Sequence, residues 1–377
     1  MRKNFAQIVF NLVLAVGLFF GYVGNSSAVP TEKACLLHRH VFDVGSGSTK
    51  IASTTINTCN NTIVKALPRQ STLMEYQKCL DKSDNQTLSE DCMQKGISVI
   101  AELKKQHNAT CDNANQQCYG LATAWARKAK NADFFLREIE EKEGMKIFVL
   151  PQQDEGKVGF YATLAKLKDD SRGVEAADVD VIVLDIGGGS FQLTGVDKDE
   201  IRVALGMYGM YNFTDMIQKK LDLPLGNRLD APNIKQAIEL LNIELDELMQ
   251  RNEWVLEKSS KPKGIMLGIG TLLNTGVRAQ LKLGDVVSKD KLLQTAYKLG
   301  AMSDSELGKH YKDVPSQVKP YIQQALLLIY CIMDRTGFDK IRIVDTGLAE
   351  YLATSIALTP DMVGQRIYTT RGSENVQ

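Results

Sequence analysis

Residues 41–51 read VFDVGSGSTKI and residues 183–193 read VLDIGGGSFQL. The two phrases agree in register at Val41/Val183, Asp43/Asp185, Gly45/Gly187, Gly47/Gly189 and Ser48/Ser190. Each is an apolar β-branched run, an Asp, a Gly/Ser turn and a second apolar run. That order spells a strand, a tight turn and a returning strand, with glycine expected to supply positive φ in the turn. A turn without bulky side chains directs backbone N–H groups and small hydroxyls into one concavity, a shape that binds phosphate. Gly45, Ser46, Gly47 and Ser48 make one candidate cradle, and Gly187, Gly188, Gly189 and Ser190 the other. Asp43 and Asp185 stand at equivalent strand ends and are candidate ligands for hydrated Mg2+ or another divalent cation. A single such loop is common in ordinary hairpins. Two in register point to two related lobes facing each other across a phosphate chain and a metal.

Outward from these hairpins, strands and helices alternate. Thr62–Ala66 reads as a third strand, residues 88–105 carry Leu88, Met93, Ile97, Ile100 and Leu103 at helical spacing, and Tyr119–Thr123 reads as a buried strand. Asn131 is placed to cap a helix over Asp133–Lys142 that stops near Gly144. A strand at Lys146–Leu150 and a helix at Glu155–Leu167 follow. The second half repeats the scheme: strands at 179–185 and 190–196, helices near 209–220 and 232–250, and a strand Gly264–Gly268 entering the loop Gly268-Ile269-Gly270-Thr271. A helix over 318–335, a strand Lys340–Val344, the turn Asp345-Thr346-Gly347 and a last helix from Leu348 to Ala357 complete it. The alternation defines an α/β fold, and the repeat makes it a fold of two related lobes.

The chain of 377 residues is long enough for two domains, and its 45 Lys+Arg balance its 45 Asp+Glu. No basic block is present to grip a nucleic acid duplex, so a bound polyanion must be held by local groups. Arg2 and Lys3 precede an apolar stretch from Ile8 to Tyr22, and Ser26-Ser27-Ala28 follows. This is the pattern of a secretory signal over residues 1–28, cut after Ala28, which places the mature protein outside the cell or in a periplasm. The apolar core is shorter than the roughly 20 residues of a membrane span, so no stable membrane anchor is expected after cleavage. Six of the 7 cysteines, Cys35, Cys59, Cys79, Cys92, Cys111 and Cys118, cluster in the first third and suit an oxidising compartment. Sequential pairing is favoured, because Cys35 and Cys59 flank the first hairpin and the other two pairs close short polar loops. Cys331, inside an apolar run, reads as a buried free thiol.

The series of motifs resembles the actin/Hsp70/sugar-kinase superfamily, and within it the exopolyphosphatase and guanosine pentaphosphate phosphatase family. The family's D-x-G-S-N-S loop corresponds to Asp43-Val44-Gly45-Ser46-Gly47-Ser48, and its D-I-G-G-G-S loop to Asp185–Ser190. Its A-T-x-x-x-R segment corresponds to Ala122-Thr123-Ala124-Trp125-Ala126-Arg127, and its acidic turn to Gln152-Gln153-Asp154-Glu155-Gly156. The resemblance extends over about residues 40–358. It implies two actin-like (ribonuclease H-like) lobes, residues 29–153 and 154–377, with an active-site cleft between them and the last helix packing back on the first lobe. It further implies a metal-dependent hydrolase that removes terminal phosphate from a phosphoanhydride, either inorganic polyphosphate or a guanosine penta- or triphosphate-type nucleotide. Arg127 would grip phosphate and Glu155 would activate water. The family commonly has Glu where this chain has Gln192; secreted apyrases, a sister family, have Gln there to position water. A secreted apyrase-like nucleoside tri- or diphosphatase is therefore the alternative. A superfamily kinase should exclude water, and a non-catalytic phosphate-binding module would be expected to lack Asp43, Glu155 or Asp185. Nothing in the sequence fixes the oligomeric state, a dimer included.

Overall fold

The repeated phrases fold into equivalent hairpins at the centre of two sheets. The computed structural model describes residues 35–111, 115–169, 180–224 and 226–355; the signal segment expected at residues 1–28 lies outside them. The first sheet holds β1 (Leu36–Val44), β2 (Ser48–Asn57), β3 (Thr62–Leu73), β4 (Gln116–Ala122) and β5 (Lys146–Val149) in the order β3-β2-β1-β4-β5. The second holds β6 (Asp180–Ile186), β7 (Phe191–Asp197), β8 (Glu200–Gly206), β9 (Gly264–Ile269), β10 (Val286–Ser288) and β11 (Lys340–Ile343) in the order β10-β11-β9-β6-β7-β8. Apart from the added edge strand β10, order and direction are the same: three antiparallel strands, then two parallel to the first. The α/β, two-lobe reading therefore holds in topology as well as in motif.

Strand residues alternate between faces, and each sheet is apolar on both. Phe42, Val44 and Ile51 meet Tyr76, Trp125 and Phe135, with the Tyr76 and Trp125 rings stacked 4.5 Å apart. Ile182, Leu184 and Ile186 meet the helices Met210–Lys220, Ala231–Arg251 and Ile322–Thr336. The opposite faces are covered by exchanged helices. The helix Gln152–Asp169, which follows β5, lays Phe160 and Leu167 against Val181 and Val183 of the second sheet. The helix Leu348–Thr354, which follows β11, lays Leu348 and Leu352 against Val41, Tyr119 and Leu121 of the first. Arg39 fastens that return by donating from Nη1 to the carbonyls of Leu352, at 3.3 Å, and Ser355, at 2.6 Å.

Several local expectations are revised. None of the turn glycines at 45, 47, 187, 188 or 189 has positive φ; among the described residues the glycines that do are Gly144, Gly226, Gly270, Gly284 and Gly337. Asn131 precedes its helix without capping it through the side chain. Its amide instead donates to Leu88 O and accepts from Leu88 N, tying two loops together. Residues 253–259, 272–280, 289–300 and 304–310 add helical segments that the sequence pattern did not reveal. Cys79–Cys92 and Cys111–Cys118 are disulfides, Cys35 and Cys59 are disulfide-bonded as well, and Cys331 is a buried free thiol.

In the first lobe, Ser53 Oγ lies 2.8 Å from His40 Nδ1 and 2.7 Å from His107 Nδ1. A hydroxyl has one proton, so it donates to one ring and accepts from the other. Burial, followed by the neighbouring His107 and His38, pushes the His40 imidazole down to about 4. A folded-state value below the unfolded 6.5 means that the unfolded chain takes up more protons in between. Stability contributed by neutral His40 is thus present above 6.5 and lost as pH falls toward 4. His40→Gln should show a smaller fall in melting temperature than the wild type between pH 6.5 and pH 4. Parallel melting curves across that window would refute the assignment.

Candidate active site

The two hairpin turns use the same bond, from Gly45 N to Ser48 O at 3.0 Å and from Gly187 N to Ser190 O at 3.1 Å. They face each other closely enough that side chains are excluded. A Cβ on Gly188 would stand 3.4 Å from Gly47 N, and one on Gly189 3.0 Å from Ser46 Oγ. Tyr211 is wedged alongside, so a Cβ on Gly47 or Gly188 would come within 3.0 or 2.8 Å of its ring. Close approach across the cleft, rather than a left-handed turn, is the reason for glycine at 47, 188 and 189. The loops line a cavity of about 350 Å³ together with Asp43, Lys50, Glu155 and Asp185.

Strand register places the charged groups. Asp43 pairs across its hairpin with Lys50, whose Nζ donates to Asp43 Oδ2 at 2.6 Å. Asp185 occupies the equivalent position opposite Gln192. Glu155 arrives on the exchanged helix, in the turn that precedes Gly156 and Gly159. A Cβ on Gly156 would lie 2.6 Å from Val203 Cγ1 and 2.8 Å from Thr194 Oγ1, and one on Gly159 3.0 Å from Asp185 Oδ2. The two glycines let the helix backbone rest on the second sheet and bring Glu155 to Asp185.

This placement buries acid beside acid. The Asp185 carboxyl is pushed up to about 8, by burial first and then by the Glu155 charge. Burial also raises Glu155, against the pull of Arg127. Arg127 Nη1 donates to Glu155 Oε2 at 2.8 Å and to Leu150 O at 2.7 Å, and Nη2 donates to Ser190 Oγ at 3.3 Å. Gln192, 1% exposed, donates from Nε2 to the same Ser190 Oγ at 3.3 Å. Both acceptor positions of that hydroxyl are thereby taken, and its proton is free to point elsewhere.

The structure thus gathers Asp43, Glu155, Asp185 and both turn loops around one cavity. Arg127 and Gln192 are not among the residues lining it; they stand behind Ser190. Ser46 is partly committed, accepting from Trp125 N at 3.1 Å. Lys50 and Tyr211 were not identified from the sequence. The register with Asp43 could have disclosed Lys50, as the counterpart of Gln192; no signal marks Tyr211.

An all-carboxylate donor set with one acid raised to about 8 fits a hard divalent cation, which would supply the missing positive charge. Among the described residues no three His, Cys, Asp or Glu side chains form a ready cage. That suits an ion held by one or two carboxylates, water and substrate oxygens.

Residues 63–359 match the family model described as the Ppx/GppA phosphatase family. The chain belongs to that family. It is accordingly a hydrolase acting on phosphorus-containing acid anhydrides, a class whose members generally use divalent cations. The match begins beyond the first turn loop, so the assignment of Asp43–Ser48 rests on the internal repeat and the strand register. Among solved structures, the chain is similar to the Ppx/GppA family member of Aquifex aeolicus, with 20% identity, a TM-score of 0.60 and coverage of 85% of this chain and 97% of that one. It is also similar to an exopolyphosphatase from Cytophaga hutchinsonii, with 15% identity, a TM-score of 0.62 and coverage of 84% and 96%. At these identities the likeness concerns the fold. A curated relative, a bifunctional 3-dehydroquinate synthase/phosphatase of Fusobacterium nucleatum, is 21% identical over 262 residues, 67% of this chain and 36% of that protein. The chain therefore spans little more than a third of that relative's length.

Gly156→Val should force the helix off β7 and β8 at a cost of about 1–3 kcal/mol for overpacking. Because Glu155 is carried by the same turn, phosphate release should fall by more than the lost stability explains. Denaturant unfolding and turnover measured on one sample check this; unchanged turnover in a destabilised variant would contradict the coupling.

Proposed function

We propose that this chain is an exported, Mg2+-dependent phosphoanhydride hydrolase that releases terminal phosphate from inorganic polyphosphate or a nucleoside polyphosphate. The observation that carries the reading is the convergence of Asp43 and Asp185, one from each repeat, with Glu155 between two turn loops of exposed backbone donors. Asp43 and Asp185 would hold the cation, which when bound draws charge from the phosphate oxygens. The backbone N–H groups of both loops other than those of Gly45 and Gly187, which close their own turns, and the Ser48 and Ser190 hydroxyls bind those oxygens. Gln192 and Arg127 orient Ser190 as a donor.

Glu155 is the general base. Its raised carboxyl lies nearer the working pH than an exposed glutamate would, which favours proton acceptance. It takes a proton from water as the water oxygen bonds to the terminal phosphorus. The bond from phosphorus to the bridging oxygen breaks, and that oxygen leaves on the shortened chain. Arg127 neutralises Glu155 before substrate arrives and has a planar fork suited to phosphate once released. Gln192 also supports a second reading, an apyrase-like nucleoside tri- or diphosphatase, because a carboxamide adds no negative charge beside an anionic substrate.

Export is supported by the residue 1–28 pattern and the disulfides, and among the described residues no helix is long and apolar enough to cross a membrane. Mass spectrometry of the exported protein should find Val29 at the mature N-terminus; a retained segment 1–28 would contradict cleavage. Glu155→Gln should lower kcat by roughly 10²- to 10⁴-fold while substrate still binds. Asp43→Asn and Asp185→Asn should weaken Mg2+ dependence. Full activity in EDTA, or wild-type kcat in Glu155→Gln on every phosphoanhydride tried, would sink the mechanism.

A further inference from the structure

Gly189 is a point at which the second turn loop touches the first lobe. A Cβ on it would stand 2.9 Å from Gln77 Oε1, 3.0 Å from Ser46 Oγ and 3.2 Å from Ala124 Cβ. Its carbonyl oxygen receives two donors. Lys128 Nζ, from the last residue of the first-lobe helix Ala124–Lys128, donates to it at 3.3 Å. Asn212 Nδ2, on the helix Met210–Lys220 of the second lobe, donates at 3.2 Å. Asn212 is itself held, because Nδ2 also donates to Met207 O at 2.7 Å and Oδ1 accepts from Gly209 N at 2.7 Å.

Lys128 is held from the other side. Its Nζ donates to Gln77 Oε1 at 3.5 Å, and Gln77 Nε2 donates to Asp81 Oδ1 at 2.7 Å. Asp81 thereby keeps the Gln77 amide turned with its oxygen toward the lysine. Gln77 N also donates to Ser46 O at 3.1 Å, so the same residue reaches the first turn loop. Burial lowers the Lys128 ammonium, against the pull of Asp81 and with the push of Arg127. Taking an ammonium from water is costly unless polar partners replace the water, and here the partners are carbonyl oxygens.

The Gly189–Ser190 peptide is trans, so its C=O and N–H point to opposite sides of one plane. Fixing Gly189 O therefore sets the direction of the Ser190 N–H, which makes no hydrogen bond among the described residues. Gly189 and Ser190 line the cavity, whereas Lys128, Gln77 and Asn212 do not. The carbonyl is held from behind and the N–H is turned toward the cavity. A cation on the carbonyl also polarises the peptide and strengthens its N–H as a donor.

We propose that Lys128 is a positioning residue for hydrolysis: from the first lobe it sets the Gly189–Ser190 peptide so that the Ser190 N–H meets an oxygen of the transferred phosphate. The inference rests on the hydrolase reading for that phosphate. With Arg127 and Gln192 aiming the hydroxyl, Ser190 presents two directed donors.

The test is TROSY NMR of the full chain labelled with ¹⁵N-serine, together with turnover. Ser190→Ala identifies the Ser190 amide signal by removing it, and the other serine signals report the fold. Lys128→Met keeps a similar stem and removes the charge and the donors. In it the Ser190 signal should shift, and its displacement at saturation with Mg2+ and inorganic diimidotriphosphate should shrink. Its kcat should fall about tenfold, less than the roughly 10²- to 10³-fold lost when a transition-state donor is removed outright. KM should stay within about twofold. Lys128→Arg keeps a charged donor and should return kcat to within about threefold of wild type. An unmoved Ser190 signal or wild-type kcat in Lys128→Met, or an equal loss in Lys128→Arg, would overturn the assignment. A Lys128-dependent Ser190 signal that responds to the inorganic anion, with no phosphate released from any phosphoanhydride by the wild type, would support the positioning and refute the hydrolase reading.

Discussion

Two carboxylates, largely withdrawn from solvent, lie side by side at the wall of one cavity, and much of the site is arranged around that cost. Glu155 and Asp185 come together because a helix with glycine at 156 and 159 lies flat on the second sheet. In a low-dielectric environment neither acid ionises freely without positive charge nearby. Arg127 supplies it for Glu155; among the described residues no cation is hydrogen-bonded to Asp185, whose carboxyl is raised by burial first and then by Glu155, with Lys50 only partly opposing them. The phosphate-binding loops alone would make an anion site. On the proposed reading, the unbalanced acid would make the same place take a cation together with the anion.

The repeat is symmetric in backbone and unequal in charge. Asp43 faces Lys50 across its hairpin, and Asp185 faces Gln192. One half therefore neutralises its own aspartate, while the other leaves it to be neutralised from outside. The neutral amide has a further use, since with Arg127 it fills the acceptor positions of Ser190. Duplicated structure here carries divided chemistry.

The hairpins were legible because their signal is local and doubled: an Asp, small turn residues and apolar flanks at fixed offsets. The same local rule misread Gly47, Gly188 and Gly189, whose purpose is set by Tyr211 and by the facing loop, residues far away in sequence. Strand β8 escaped notice for a different reason. Its turn is Lys198-Asp199, both with positive φ, at 49° and 68°, a conformation usually signalled by Asn-Gly or Asp-Gly. As an edge strand it exposes Glu200, Arg202 and Leu205, which blurs its alternation. Asn131 looked like a helix cap because it precedes a helix, whereas a distant backbone at Leu88 claims its amide. Arg127 and Glu155 were found through motif position; their mutual ion pair depends on the helix exchange and could not be read from spacing.

That exchange has a consequence for the chain as a material object. The inner face of the first sheet, with Val41, Tyr119 and Leu121, is roofed by a segment that comes last in the described chain. The inner face of the second, with Val181 and Val183, is roofed by the helix that begins just after β5. A break in the connection between residue 169 and β6 would leave the amino-terminal piece holding the second sheet's roof and the carboxyl-terminal piece holding the first sheet's. Neither fragment could satisfy its own apolar surface. Each would carry what the other lacks, so the pair would be built to recombine as a split protein.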